Sequence, residues 1–306
     1  MDRIGFIGSS DAAAVLGLSR WKTPLQIWAE KTGQVVPADI SDKEAVNLGV
    51  ELEDYVARRF MRITGKKVMR PPNQQTENQV HPQYPFLTCA IDRRVVGEDA
   101  LLECKTCGAW KAKEWELEEV PQEYVIQVMH QLAVTGKKVG YIAVLIGNQD
   151  FKWQEIKRDE VLISDMISRE VAFWNDYIVP VVMPAFVSRK DSETIYELFD
   201  SPIPESVVAL GEEANRIVQD IQAMERDKAS LEGSIEQKKN VLKIMLKENE
   251  AGVSNLYKIT WKEQKAVRLD TKTIKESEPD LFRKYSKETF SRVLRISENK
   301  TEVKKS

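Results

Sequence analysis

Two strand pairs interleaved with helix-forming segments do most to limit the fold of this chain. Phe86 to Val96 and Ala100 to Thr106 are apolar-rich runs joined by Gly97-Glu98-Asp99, a hairpin signature. Val139 to Ile146 and Phe151 to Ile156 form a second pair around Gly147-Asn148-Gln149-Asp150. Helix signals surround them. Ser9-Ser10-Asp11 precedes the run Ala12 to Leu16, so a serine is expected to cap a helix by accepting from its free backbone N–H groups. Thr23-Pro24-Leu25-Gln26 combines a capping box with proline at the first helical position, and opens a helix that Gly33 stops. Further helices are expected over about 43–63, 121–135 and 160–179. Strands embedded among helices give an α/β core over about residues 1–189, a mixed central sheet flanked by helices.

Residues 190–306 have another texture. Leu210, Ile217, Met224, Leu231 and Met245 fall on a seven-residue spacing, with Ala214, Ile221, Ile235 and Leu242 in the complementary positions. The phase holds through Gly233, which predicts one long helix. Lys228 and Lys238 interrupt the seam, so the expectation is an amphipathic arm packing on a neighbour or on its own domain. Leu256 to Trp261 and Arg292 to Ile296 are expected to pair as a small sheet. The region reads as an oligomerisation or partner-contact extension.

Composition excludes several classes. No apolar run approaches the roughly 18 residues that span a bilayer, and Met1 to Ser10 lacks the pattern of a secretory signal. Three cysteines cannot make a disulfide framework, and His81 and His130 are too few for a zinc or histidine-metal nuclease. A protein of the bacterial cytoplasm, with no membrane partner, is expected. The net charge of −3 does not favour nucleic acid in bulk. Its distribution does more: Arg58, Arg59, Arg62, Lys66, Lys67 and Arg70 form an acid-free stretch, either a solvated face or a track for a phosphate backbone.

The first hairpin carries the chemistry. Phosphodiester hydrolysis needs an activated water and compensation for charge building on phosphate, which one or two Mg²⁺ ions held by carboxylates supply. Side chains alternate along a strand, so Glu103 and Lys105 project on one face and Cys104 on the other, while Asp92 reaches the same place from the preceding strand. Lys105 would orient the water and neutralise the phosphate; the plainer alternative is an ordinary Glu103–Lys105 ion pair. Over 43–63 a helical projection puts Glu53 in the stripe of Val46, Val50, Val56, Ala57 and Phe60, and Glu51 on the polar side. An ionised carboxylate facing a core needs a metal or a cationic partner, so Glu53 is either a third ligand or half of a buried ion pair. Tyr124, Gln127 and Gln131 share one helix face, and a glutamine there suits a water or a phosphate oxygen. The helix start at Ser9–Ser10, with Arg3, offers an anion site for a terminal phosphate.

An aspartate, about ten residues, then Glu-x-Lys matches the PD-(D/E)xK nuclease pattern. Ile7 to Leu18, Trp21 to Pro24, Glu30 to Gly33, Gly49 to Glu53, Ala90 to Asp92, Leu102 to Lys105 and Tyr124 to Val128 resemble, in order, the motifs of the YqaJ-like viral recombinases and the lambda-exonuclease family. That resemblance covers about residues 1–189 and implies a restriction-endonuclease-like core. It implies Glu53, Asp92 and Glu103 as metal ligands, Lys105 as catalytic lysine, Gln127 as its supporting glutamine, and Arg3 and Ser10 at the 5′-phosphate. It also implies a Mg²⁺-dependent 5′→3′ exonuclease on linear duplex DNA, with Mn²⁺ substituting. The product would be a 3′ overhang for a single-strand annealing protein in phage-type recombination, made by a homo-oligomer of the family's ring-shaped trimer type. Two rivals stand beside it: an endonuclease or nickase on the same core, and a non-catalytic scaffold that binds DNA or a recombination partner.

Overall fold

The computed structural model describes residues 4–71, 79–118, 120–185, 188–289 and 291–298. The chain divides into two units, Met1–Ser201 and Pro202–Ser306. The first contains β1 (Ile7–Gly8), α1 (Ser9–Val15), α2 (Pro24–Lys31), α3 (Glu44–Thr64), β2 (Val68–Met69), β3 (Gln79–Val80), β4 (Leu87–Cys89), β5 (Arg93–Val95) and β6 (Ala100–Cys107). There follow a 3₁₀ segment over Ala109–Glu118, α4 (Gln122–Thr135), β7 (Val139–Ile146), β8 (Asp150–Lys157), α5 (Glu160–Phe173) and α6 (Ser192–Leu198).

Five strands form a mixed sheet in the order β2-β5-β6-β7-β8, in which β6 and β7 run parallel and the other neighbours antiparallel. The β6–α4–β7 crossover makes the parallel pair, since a short turn cannot join parallel strands. Helices cover both faces, as an α/β core requires. On one side Leu101, Ile142, Val144 and Ile146 pack with residues of α1, α2, α4 and α5. On the other, Ala100, Leu102, Tyr141 and Ala143 meet Val56, Ala57 and Phe60 of α3. The period-two alternation of β6 therefore decides which helices each of its side chains can reach.

Several expectations shift. The run 86–96 is two strands: β4 joins β1 and β3 in a separate three-stranded sheet, and β5 joins the large one. Polar groups fix the break, because the Ala90 carbonyl accepts from Gln131 and the Asp92 carboxylate accepts the Cys104 N–H. No serine caps α1. Gly8 is its N-cap, and Asp11 reaches back to accept the Gly8 N–H. The second helix keeps its expected cap, Thr23 accepting from the Gln26 N–H at 3.1 Å. The first unit also extends past residue 189. Asp191 is fully buried, accepts the Thr23 hydroxyl and the Ser188 N–H, and so ties α6 to the start of α2.

α4 lies so close to β7 that a Cβ on Gly140 would sit 2.3 Å from Val128 Cγ1. Gly140→Ala is therefore expected to lower the unfolding free energy by about 1–3 kcal/mol through overpacking. A chemical-denaturation midpoint equal to that of the parent would refute this.

The second unit holds α7 (Glu212–Leu246), a hairpin of β9 (Ala251–Val253) and β10 (Lys258–Thr260), and the short helices α8 (Thr271–Ser277) and α9 (Pro279–Tyr285). One unbroken helix spans Gly233, as the heptad phase predicts. The small sheet differs from expectation: the strand within 256–261 pairs with the segment just before it, and 292–296 carries no strand. A neighbour one tight turn away costs less chain entropy than one about thirty residues on. Among the described residues, no helix is long and apolar enough to cross a membrane.

Candidate active site

β5 and β6 are antiparallel with Arg93 opposite Leu102, so Asp92 and Glu103 lie side by side where the strands leave the hairpin. Gly97, at φ +80°, makes the turn that sets this register. Asp92 Oδ2 accepts the Cys104 N–H at 2.7 Å, which holds the carboxylate against β6. Glu103 is 4% exposed and surrounded by donors. Lys105 Nζ and Gln127 Nε2 each stand 2.6 Å from its Oε1, and Gln131 Nε2 stands 2.7 Å from its Oε2. Gln131 also donates to the Ala90 carbonyl at 3.0 Å. The face of α4 that carries both glutamines is thus pinned to β6.

The Lys105 ammonium lies 5.4 Å from the Tyr124 ring centroid, and that ring stacks on Trp115. Burial alone would push the Lys105 pKa down, yet Glu103 and Asp92 outweigh it and raise it, so the side chain stays a cation. The Asp92 carboxyl is pushed up to about 8, first by burial and then by the charge of Glu103, against the opposing pull of the Cys104 N–H and Lys105. Beside one lysine the two acids cannot both stay ionised without a further cation. A small hard cation held by one or two carboxylates and otherwise by water or phosphate oxygens suits that donor set. Asp92 and Glu103 are the residues that fit it.

Glu53 is placed differently. It sits on α3, across the sheet from the Glu103 face, and pairs with Arg93, a side chain 4% exposed. Arg93 also grips Asp54 and donates to the Asp92 carbonyl at 2.5 Å. Glu53 thus has a cationic partner in Arg93. Among the described residues, no three of His, Cys, Asp and Glu gather as a metal cluster. Arg93 is the residue that sequence reasoning missed. Its signal was its place: a base next to Asp92 on a strand whose neighbours are buried.

Of the expected phosphate grip, only Ser10 falls among the described residues. Ser10 is exposed, α1 has only seven residues, and Asp11 already occupies its N-terminus and pairs with Lys31 at 2.7 Å. Arg3 lies outside the described residues. In the basic stretch, Arg58, Arg62 and Lys67 are exposed and Arg59 is half-buried. Lys66 is engaged instead, 2.6 Å from Glu98 and over the Tyr141 ring.

Residues 1–138 match the model of the YqaJ-like viral recombinase domain. Over 295 residues the chain is 38% identical to the uncharacterized protein YqaJ of Bacillus subtilis (strain 168), covering 95% of this chain and 91% of that protein. Among solved structures it is similar to the alkaline exonuclease LHK-Exo of Laribacter hongkongensis, with 20% identity over 57% of this chain and 88% of that one, at a TM-score of 0.48. A phage related exonuclease from Haemophilus somnus 129PT is similar at 12% identity and a TM-score of 0.41, covering 57% of this chain and 95% of that one.

Proposed function

Because the chain belongs to the YqaJ-like viral recombinase family, we propose that it is a Mg²⁺-dependent exonuclease that degrades one strand of linear duplex DNA. The observation that carries this reading is the pairing of Asp92 with Glu103 beside Lys105, on a hairpin whose register leaves those three groups together. A bound Mg²⁺ would supply an acidified water and charge compensation for the phosphate. Asp92 and Glu103 would hold it, and Mn²⁺ would substitute.

The protein's own groups do the rest. Lys105, a cation beside Glu103, faces the charge that builds on the phosphate as the water oxygen bonds to phosphorus and the bond to the leaving sugar oxygen breaks. Gln127 fixes Glu103 Oε1, and Gln131 fixes Oε2, so the carboxylate cannot rotate away. Glu53 acts through Arg93, which braces the Asp92 backbone, and is a positioning residue in this reading. The 5′→3′ direction, the 3′ overhang passed to an annealing protein and the trimeric ring follow from the family resemblance. The exposed bases Arg58, Arg62 and Lys67 suit backbone tracking.

Digestion of linear duplex labelled at either end, beside a covalently closed circle, with Mg²⁺ or EDTA, tests the proposal. Stepwise loss from the 5′ end with the circle intact is expected. Cutting of the circle would move the protein to the endonuclease reading, and inertness under every divalent metal would leave a binding scaffold.

A further inference from the structure

α7 is 35 residues long, about 52 Å of helix, and its seam is open to solvent. Ile217, Met224, Leu231, Ile235 and Met245 are each at least half exposed. In heptad terms Ala214, Ile221, Lys228, Ile235 and Leu242 take position a, and Ile217, Met224, Leu231, Lys238 and Met245 take position d. Gly233 falls on the outer face, where nothing lies within 4 Å of an added Cβ. A seam repeating every 3.5 residues specifies another helix as its cover.

We infer that this cover is α7 of a second copy of the chain, running antiparallel. Charge selects the orientation. The N-terminal half, 212–227, carries five acids (Glu212, Glu213, Asp220, Glu225, Asp227) against two bases (Arg216, Arg226). The remainder, 228–246, carries four bases (Lys228, Lys238, Lys239, Lys243) against two acids (Glu232, Glu236). A parallel pair lays acid on acid and base on base. It also sets Lys228 against its own copy, and Lys238 likewise. The antiparallel pair lays each acidic half on a basic one.

The seam selects the register. With the two helices fully overlapped, the layers are Ala214 with Met245, Ile221 with Lys238, Lys228 with Leu231, Ile235 with Met224, and Leu242 with Ile217. Each seam lysine then faces an apolar side chain, over which its stem can lie. Each also gains an acid from the other helix, Glu232 for Lys228 and Asp220 for Lys238. A slip of one heptad in one direction would bring Lys228 onto Lys238, and in the other would leave Leu242 and Met245 beyond the end of the partner helix. The lysines that make an isolated parallel coiled coil unfavourable are thus the features that fix this one. Such pairing is two-fold and self-complementary, so on the trimeric ring proposed above it joins the arms of two rings and keeps the number of copies even.

The test uses the full chain. Sedimentation velocity at micromolar concentration should give an even multiple of 35.0 kDa. Met224→Asp with Leu231→Asp should weaken association at the arm by about a hundredfold or more and halve that mass, with helical content retained by circular dichroism. Orientation is read with a short thiol-to-thiol cross-linker, the parent serving as background for the native cysteines. Met224→Cys combined with Ile235→Cys should cross-link between chains, and Met224→Cys alone should not. Efficient linkage of Met224→Cys by itself would overturn the antiparallel pair. A monomeric or simple trimeric parent, or a seam variant of unchanged mass, would overturn the pairing altogether. None of these readouts depends on nuclease activity.

Discussion

Replacing Lys105 with alanine is expected to slow phosphodiester hydrolysis by about a thousandfold, the scale of losing one group aimed at transition-state charge. The fold should survive. Glu103 keeps Gln127 on one oxygen and Gln131 on the other, so its buried carboxylate is not left without donors. Lys105 itself is only partly buried. The rate loss should therefore come with a denaturation midpoint close to that of the parent, and with duplex binding retained in EDTA. Lys105→Arg keeps the charge but not the reach, and should fall between the two. If Lys105→Ala cleaves at the parent rate in Mg²⁺, the Glu103–Lys105 contact is the ordinary ion pair that sequence alone leaves open. Loss of rate with collapse of stability would equally remove the catalytic assignment.

The hairpin was legible because it depends on local rules. Alternation along 100–107 places Glu103 and Lys105 on one face, and a three-residue turn with glycine sets where Asp92 falls opposite them. The face of α4 was legible for the same reason, since Gln127 and Gln131 follow Tyr124 by three and seven residues and so share its side of the helix. What pattern does not encode is a choice among partners. Helical projection gives Glu53 a direction, yet whether it meets a cation from a metal or from Arg93 depends on how α3 crosses the sheet. The break between β4 and β5 was hidden likewise. Phe86 to Val96 reads as one run, and the two hydrogen bonds that split it come from residues far along the chain. The serine cap failed for a local reason that propensity scales blur: Asp11 competes for the same end of α1.

The largest stability effect is expected at the buried polar centre of the first unit, which no local pattern marks. His130 is fully buried on α4, with Nδ1 at 2.9 Å from Glu170 Oε1 of α5 and Nε2 at 3.0 Å from the Thr88 carbonyl of β4. Both ring nitrogens face acceptors, which calls for the imidazolium. Burial opposes that charge, but Glu170, the Thr88 carbonyl and more distant Asp11 outweigh it, and the pKa is raised above 6.5. His130→Ala would strand a buried carboxylate, so a loss of about 3–5 kcal/mol in unfolding free energy is expected by denaturant titration. The pH dependence has a definite sign. A group whose folded pKa is raised stabilises fully below its unfolded value, and that contribution fades as pH climbs through the folded value. Stability of the parent should therefore fall from pH 6.5 upward, and His130→Gln should flatten that decline. An identical slope in the variant would show that His130 is neutral in the folded protein. The consequence reaches the proposed catalytic centre through the chain: Thr88, held by His130, lies two residues before Ala90, which Gln131 holds, and four before Asp92. One face of α4 thus fixes both the strand that delivers Asp92 and the carboxylate of Glu103, which is why loosening His130 should lower activity as well as stability.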